Sequence, residues 1–183
     1  MKKNLYWVII LILAGFSSTV SAQTAQPVIA YVTIQGSRQG SFKGDGAAPG
    51  RQGQIECLGF SYAVQVPSDL ASGAAIGKRQ HMPIVIVKRL DGASPQLMQS
   101  AYMNEVLKTV TIEFVRPGQS SPFQTIKLTN AIVSKLNQYG GVSSPDKLVP
   151  NAGVLEEVSF NFQKIEVDNP ESKTAAVDNW SAR

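Results

Sequence analysis

Apolar and polar residues alternate along most of the chain, and a period of two residues is typical of β-strands with one buried face. The predicted strands share this alternation or a short run of β-branched residues, and they cover residues 28–34, 54–66, 84–87, 110–114, 123–136 and 155–167. In the last strand the apolar residues change faces, since Val158 and Phe160 share one parity and Ile165 has the other. We therefore expect a bulge or bend near Gln163 or Lys164.

The strand predicted over 54–66 is the longest, and its two faces differ in kind. One face is expected in the core because it is apolar throughout, with Leu58, Phe60, Tyr62, Val64 and Val66. The opposite face includes the small residues Gly59, Ser61 and Ala63. Small side chains suit a surface that another backbone approaches closely, or the wall of a wide channel.

One stretch breaks the β pattern between two predicted strands. Ser94 can accept hydrogen bonds from free amides at a helix start, and Pro95 suits the first helical position. Leu97 and Ala101 then fall on one helical stripe. The sequence predicts a single short α-helix over about residues 95–105.

The first residues have the composition of an export signal. Lys2 and Lys3 precede an apolar run over 5–16, and Val20–Ala22 supplies small residues for cleavage after position 22. The run is shorter than the roughly 20 apolar residues of a membrane-spanning helix, although a retained anchor is the alternative. We expect residues 1–22 to be a signal peptide, with no stable membrane insertion after cleavage.

The rest of the chain has the size and composition of one domain. Without residues 1–22 the net charge falls from +4 to about +2, which is too small to indicate nucleic-acid or membrane-surface binding. Cys57 is the only cysteine, so stability must come from the core or from assembly instead of an internal disulfide. We expect one β domain over 23–168 and a polar, flexible C-terminal tail over 169–183.

Motifs for catalysis or metal binding are missing from the sequence. It contains no Gly-x-Ser-x-Gly, His-Glu-x-x-His or Cys-x-x-Cys, and its lone histidine, His81, is expected to be structural. We predict no catalytic residue, no cofactor and no metal. Glu156 is interpreted as part of a charged strand start. Six cations are expected at the surface or in pairs across an interface, namely Lys43, Arg51, Lys78, Arg79, Lys88 and Arg89.

The segment 36–53 contains six of the 15 glycines and is too long for a tight hairpin. It lacks the Gly-x-x-x-x-Gly-Lys-Ser/Thr spacing of a phosphate-binding loop. Two interpretations stay open: a flexible surface loop, or a protruding hook that grips another copy of the protein. Phe42 favours the hook, because a lone aromatic in a mobile loop needs something to pack on. The candidate self-assembly residues are Arg38, Phe42, Lys43, Asp45 and Arg51.

Several stretches together resemble the Hcp (haemolysin-coregulated protein) family, the tube proteins of type VI secretion systems. The resemblance covers roughly residues 28–167, and its most specific part joins a basic strand to the helix start. The matching stretches are His81-x-Pro83-Ile84-Val85-Ile86-Val87-Lys88, Asp91-Gly92-Ala93-Ser94-Pro95-Gln96-Leu97, Ile34-Gln35-Gly36 with the glycine-rich loop after it, and Glu157-Val158-Ser159-Phe160-Asn161-Phe162.

The resemblance implies a mainly β, tail-tube-like fold, a two-sheet β-barrel or sandwich with one short flanking α-helix. It further implies a non-enzymatic subunit of a homohexameric ring, with rings that stack and a lumen that holds effector proteins. The protein would itself be secreted and would contact other type VI components. The segment 36–53 would be the element that reaches neighbouring copies. The small residues Gly59, Ser61 and Ala63 would line the lumen or a subunit seam.

The export signal departs from the family, whose usual members assemble in the cytoplasm and are then secreted. Two expectations follow for location. If residues 1–22 are cleaved, the protein is periplasmic or secreted; if not, it is an ordinary tube subunit. The alternative function is an exported small β-barrel that binds a ligand or partner outside a secretion tube.

Overall fold

The computed structural model describes residues 28–140 and 153–179. These residues form eleven β-strands and one α-helix. In chain order the elements are β1 (Ala30–Gly36), β2 (Ile55–Cys57), β3 (Gly59–Ser61), β4 (Val64–Gln65), β5 (Gln80–His81), β6 (Ile84–Arg89), α1 (Ser94–Tyr102), β7 (Leu107–Val115), β8 (Pro122–Gly140), β9 (Val154–Asn161), β10 (Lys164–Asn169) and β11 (Thr174–Asn179).

The longest strand, β8, belongs to both layers of the fold. Its first half pairs with β7 and β10, and its second half pairs with β9, all antiparallel. The change of neighbours falls beside Asn130, whose φ of 50° turns the strand. One layer therefore runs β2, β1, β7, β8, β10, β11, and the other runs β3, β6, β9, β8. The predicted mainly β, two-sheet fold with one short helix is confirmed.

The core lies between these two layers. The inward positions of the strands alternate with outward ones, as in β6, where Ile84 and Ile86 are buried. Phe60 and Phe114 meet edge to face with ring centroids 4.9 Å apart. Burial of each large apolar side chain contributes roughly 1.5–3 kcal/mol, so this core is the main source of stability. Its fully buried members include Val32, Ile34, Ile84, Ile86, Leu107, Ile112, Leu128, Val158 and Phe160.

Helix α1 begins at Ser94 and ends at Tyr102, three residues before the predicted end. Pro95 lies in the first turn, as expected, but the Ser94 hydroxyl does not cap the helix. It accepts hydrogen bonds from the Lys88 ammonium (2.9 Å) and from the backbone N–H of Asp91 (3.1 Å). The helix packs on β8, with Leu97 buried beneath it.

The prediction of one long strand over 54–66 is wrong. The chain forms β2 beside β1 and then crosses to pair β3 with β6. The inward positions are odd-numbered in β2, with Ile55 and Cys57, and even-numbered in β3, with Phe60. Ile55 and Cys57 are buried, whereas Val64 and Val66, which were expected in the core, are exposed. The period of two is reset where the strand changes sheets, and the sequence pattern does not show that change.

The parity switch in the last predicted strand is confirmed as a break between β9, which ends at Asn161, and β10, which begins at Lys164. A flexible tail was expected from residue 169, but β11 (Thr174–Asn179) pairs with β10 (Lys164–Asn169) as a hairpin. The predicted signal peptide and residues 180–183 lie outside the described residues.

Two charged residues are buried in the second layer: Lys88, which was expected at the surface or in a pair across an interface, and Glu156, which was interpreted as part of a charged strand start. Lys88 and Glu156 have no exposed surface. The Lys88 ammonium lies 2.8 Å from Asp91 and 3.5 Å from Glu156, and the Gln138 amide donates to Glu156 at 2.7 Å. Buried charges need partners of this kind, because an unpaired charge in the core is strongly destabilising. The cluster fastens the start of α1 to β6 and β9.

Candidate assembly surface

The glycine-rich segment 36–53 packs on the body of its own chain. Phe42, the residue that suggested a hook, is only 4% exposed and belongs to the core. Its backbone N–H donates to the carbonyl of Ile34 at 3.0 Å, which holds the segment against β1. The argument that Phe42 needs a partner in another copy is therefore wrong, because this aromatic ring packs inside its own subunit.

The buried carboxylate of Glu105 fastens the start of this segment. It accepts hydrogen bonds from the backbone N–H groups of Arg38 (2.6 Å) and Gln39 (3.0 Å) and from the Gln39 side chain (2.7 Å). Burial alone raises the pKa of Glu105, but the hydrogen bonds from Gln39, Arg38 and Ser100 outweigh it and hold the pKa below its usual value. A Cβ at Gly36 would lie 2.6 Å from the same carboxylate, so a larger residue there would displace Glu105 from these hydrogen bonds.

Arg51 fastens the other end of the segment. Its guanidinium pairs with Glu113 on β7, donates to the carbonyl of Ser120 at 2.5 Å, and lies 5.1 Å from the centre of the Tyr31 ring. Arg51 is buried in these contacts. It was expected as a surface cation or an interface partner, and its carboxylate partner belongs to the same chain.

The middle of the segment rests against the start of α1. The N–H of Lys43 donates to the Gln96 side chain at 2.9 Å, and the Asp45 carboxylate accepts from the N–H of Gly92 at 3.2 Å. The side chains of Arg38, Lys43 and Asp45 are exposed. Of the five candidate assembly residues, these three remain available to a partner, and Phe42 and Arg51 do not.

The part of the described chain that projects is residues 63–79, which we name the arm. It leaves the barrel at the paired strands β4 and β5 and continues as a hairpin. In this hairpin the backbone N–H of Asp69 donates to the carbonyl of Ala74 at 2.8 Å, and the N–H of Ile76 donates to the carbonyl of Pro67 at 2.9 Å. The Asp69 carboxylate accepts from the N–H groups of Ala71 and Ser72, and these hydrogen bonds hold the pKa of Asp69 below its usual value. The arm is therefore structured.

Large apolar side chains on the arm face outward. Leu70 is fully exposed and Ile76 is 69% exposed, and Val64 and Val66 at its base are also exposed. Contiguous exposed apolar residues mark interaction sites. The sequence pattern did not predict this surface; its only signal was two isolated aliphatic residues, Leu70 and Ile76, among small and polar ones.

The base of the arm is joined to the last strand. The Asp178 carboxylate on β11 pairs with the Arg79 guanidinium and accepts a hydrogen bond from His81 at 2.7 Å, and His81 bonds on its other nitrogen to the Tyr62 hydroxyl at 2.5 Å. The bonds from Arg79 and His81 hold the pKa of Asp178 well below its usual range. We name these four side chains the latch. The structural role predicted for His81 fits these contacts.

The small-residue face lies at the root of the arm. Gly59 packs against Val87, where an added Cβ would lie 3.2 Å from the Val87 side chain. Ser61 and Ala63 are exposed, and the Ala63 carbonyl accepts from the N–H of Met82 at 2.9 Å. This face is open to a neighbouring surface or to solvent.

Groups for chemistry are few in residues 28–140 and 153–179. No cluster of three or more His, Cys, Asp or Glu side chains there could hold a metal ion. The Cys57 thiol is buried and donates to the carbonyl of Gly59, and burial raises its pKa to about 11, so it is a poor nucleophile at neutral pH. In the same ranges, no helix has the length and apolarity to cross a membrane.

Comparison with known proteins agrees with this geometry. The family model described as "Type VI secretion system effector, Hcp" matches residues 31–168. The chain belongs to the Hcp family. This family comprises non-enzymatic structural proteins of type VI secretion. A curated relative, the major exported protein of Pseudomonas aeruginosa, is 31% identical, and the match covers 82% of this chain and 94% of the relative.

Solved structures of Hcp proteins share the fold over most of the chain. A crystal structure of an Hcp protein superposes with a TM-score of 0.72 at 26% identity and covers 82% of this chain and 98% of that one. The secreted protein Hcp3 from Pseudomonas aeruginosa has a TM-score of 0.64 at 28% identity, with 82% and 99% covered. The Hcp1 variant from Escherichia coli EAEC 042 has a TM-score of 0.72 at 23% identity, with 84% and 99% covered.

Proposed function

We propose that this Hcp-family protein is the structural subunit of a homohexameric ring, and that such rings stack into a tube that delivers effector proteins. The observation that supports this most is the arm: a structured hairpin, on a well-packed barrel, that exposes Leu70 and Ile76 to solvent. Such side chains reduce solubility in a monomer unless another surface covers them. In an assembling protein, a neighbouring subunit would cover the exposed Leu70 and Ile76 side chains.

The packed interior of the barrel favours a structural role over the binding of a small ligand. Its interior is filled by aliphatic and aromatic side chains between the two layers, as in an ordinary packed core. The alternative from the sequence is an exported barrel that binds a small ligand as a monomer or dimer. Such a protein would be expected to have a closed apolar cavity between the two layers. In the proposed ring, the effector lies in the lumen between subunits, and Gly59, Ser61 and Ala63 line that lumen or a seam.

For location, we propose export. The basic residues Lys2 and Lys3 and the apolar run over 5–16 have the order of a signal peptide. The Pseudomonas relative is itself named as an exported protein. Mass spectrometry of the native N-terminus tests this: a start at Gln23 supports cleavage and export, and a start at Met1 indicates an ordinary tube subunit that is secreted whole.

The oligomeric state tests the function. The protein, expressed from its full sequence, is measured by size-exclusion chromatography with light scattering at micromolar concentrations. We expect a mass about six times that of the subunit. A monomer at every concentration contradicts the ring, and a stable dimer favours the alternative of a separate binding protein.

A further inference from the structure

A cavity of about 380 Å³ lies between the root of the arm and the last strand. Both stems of the arm contribute to its wall, since Pro67 belongs to the outgoing stem and Gly77 to the returning one. The stems are in close contact, because a Cβ on Gly77 would lie 3.2 Å from the Pro67 ring. Asp178 on β11 completes the wall. The cavity has the volume of a pocket for a small ligand.

The charged side chains that line this cavity have a positive balance. Lys78 and Arg79 contribute +2 and Asp178 contributes −1, which leaves +1 when His81 is neutral. Lys78 is exposed and has no ion-pair partner within residues 28–140 and 153–179. A concave wall with this net charge attracts anions and repels cations.

The guanidinium of Arg79 is only partly used by its internal partner. Its Nε and Nη2 groups donate to the two oxygens of the Asp178 carboxylate. Its Nη1 group has no acceptor within the part of the chain that the structure describes, and the Arg79 side chain is 42% exposed. A guanidinium has a second planar edge, formed by Nη1 and Nη2, which can bind another carboxylate through two parallel hydrogen bonds.

Asp178 indicates the ligand chemistry that this wall accepts. Its carboxylate is bound by Arg79 and, at 2.7 Å, by His81, and these bonds hold the pKa of Asp178 well below its usual range. A strongly perturbed carboxyl group beside a cavity is typical of a binding site. Next to these polar groups, the Pro67 ring and Gly77 supply apolar surface. The wall therefore suits a carboxylate that carries a short apolar body.

We propose that this cavity binds a carboxylate ligand, held by the free edge of Arg79 and by the Lys78 ammonium, with its apolar part against Pro67. Asp178 remains the internal partner of Arg79. The carboxylate belongs either to a free small acid or to the C-terminal end of a polypeptide. The site lies within one subunit, so it does not depend on the ring.

Ligand-observed NMR by saturation transfer measures such weak binding to a single subunit and to a ring alike. Three probes are titrated into the full-length protein at constant ionic strength: acetate, N-acetylated tri-alanine with a free C-terminal carboxylate, and the same peptide with a C-terminal amide. We expect dissociation constants on the order of 1–50 mM for the two carboxylates and no saturable binding of the amide.

The probes also distinguish the two sources of the carboxylate. Tighter binding of the tri-alanine acid than of acetate supports the proposal with a chain end as ligand, and equal binding supports it with a free acid. Binding of the amide as tight as that of the acid contradicts the proposal, and so does the absence of binding by both carboxylates.

Removal of the unpaired cation tests whether the binding is local. Lys78→Met should weaken the binding of both carboxylates roughly two- to five-fold, the effect of one partly exposed ion pair. Lys108→Met is the matched control, because it removes the same charge from an exposed position on β7 outside the cavity. Equal weakening in the two variants would show a general attraction to the charged surface and would overturn the site.

Asp178→Asn should have the opposite effect. It removes the carboxylate that competes for Arg79 and His81, so acetate should bind about five-fold tighter or more. Glu171→Gln loses the same charge on the same hairpin, where Glu171 pairs with Arg116 outside the cavity, and should bind acetate like the unaltered protein. Circular dichroism melting verifies that each variant is folded. Unchanged or weaker binding to folded Asp178→Asn contradicts the proposal.

Discussion

Segment 36–53 and the arm are both long connections beside the same barrel, yet they are held in opposite ways. The glycine-rich segment folds inward, with Phe42 in the core and with Glu105 and Arg51 fastening its ends. The arm folds on itself, contacts the body at its base through the latch, and turns Leu70 outward. Gly36, Gly44 and Gly46 allow close packing in the first case, and the aliphatic side chains of the second are exposed.

The glycine content of a loop therefore does not predict how far the loop projects from the barrel. At Gly46 a Cβ would lie 2.6 Å from the carbonyl of Arg51, so glycine there permits contact between backbones. The arm contains Gly73, whose φ of 68° and open surroundings indicate a turn. Glycine at a close contact and glycine at a turn look the same in the sequence and have different consequences.

The largest difference between the two regions should appear on truncating their apolar side chains. Phe42→Ala should lower the free energy of unfolding by about 3–5 kcal/mol, because it leaves a cavity in the core. Leu70→Ala should change it by no more than about 0.5 kcal/mol, because the side chain is already in water in the subunit. Urea denaturation of the dissociated subunit, at one low protein concentration, measures both. Equal losses would contradict the inward packing of segment 36–53.

A smaller effect is expected from the carboxylate that fastens segment 36–53. Glu105→Gln should cost about 1–3 kcal/mol at neutral pH, because a buried charge-assisted cluster loses its acceptor. The pKa of Glu105 is lowered on folding, so its contribution is present above the usual glutamate pKa of about 4.3 and is lost as the pH falls through the folded value.

Stability measured by urea denaturation between neutral pH and acid should therefore fall less steeply for Glu105→Gln than for the unaltered protein. The curves should approach each other at low pH. If they stay parallel, the carboxylate is not the titrating group that holds this segment.

The smallest effect concerns the base of the arm. Asp178→Asn removes the charge that binds Arg79 and His81, and amide hydrogen exchange over residues 66–79 should become faster while global stability stays nearly constant. Glu171→Gln is the control, because Glu171 on the same hairpin pairs with Arg116 away from the arm. Hydrogen exchange with mass spectrometry compares the two. The same exchange rate in both variants would show that the latch does not restrain the arm.

Local patterns were enough for much of the fold. The alternation of Val110 and Ile112 on β7 and the Ser94-Pro95 helix start lie where they were expected. The change of face between Phe160 and Ile165 predicted the break before β10. These features depend on residues near each other in sequence, and period and propensity describe them.

The misplaced features depend on distant residues. Lys88 is buried because Glu156, 68 positions later, lies on the neighbouring strand at the paired position. Strand β11 is ordered by pairing with β10, and Asp178 reaches residues about a hundred positions earlier. Phe42 is buried because its ring packs in the core that residues of both layers form. None of these partners is visible in the pattern around the residue itself.

The candidate site was displaced for the same reason. Composition favoured segment 36–53 as the assembly surface, because its glycines and Phe42 are conspicuous. In the structure the exposed apolar side chains lie instead on the arm, at Leu70 and Ile76. Arg38, Lys43 and Asp45 keep exposed side chains and stay candidates for contacts between rings. An apolar residue such as Leu70 in a short run of small residues looks ordinary until its exposure is known.

Hydrogen exchange of the unaltered protein, measured when dilute and dissociated and again when assembled, tests the central claim most directly. We predict that amides over residues 66–77 exchange faster than those of segment 36–53 in the free subunit and become protected on assembly. Amides of segment 36–53 should exchange slowly in both states. Protection gained in segment 36–53 with an unchanged arm would contradict the account, because it would make the glycine-rich segment the element that joins the subunits.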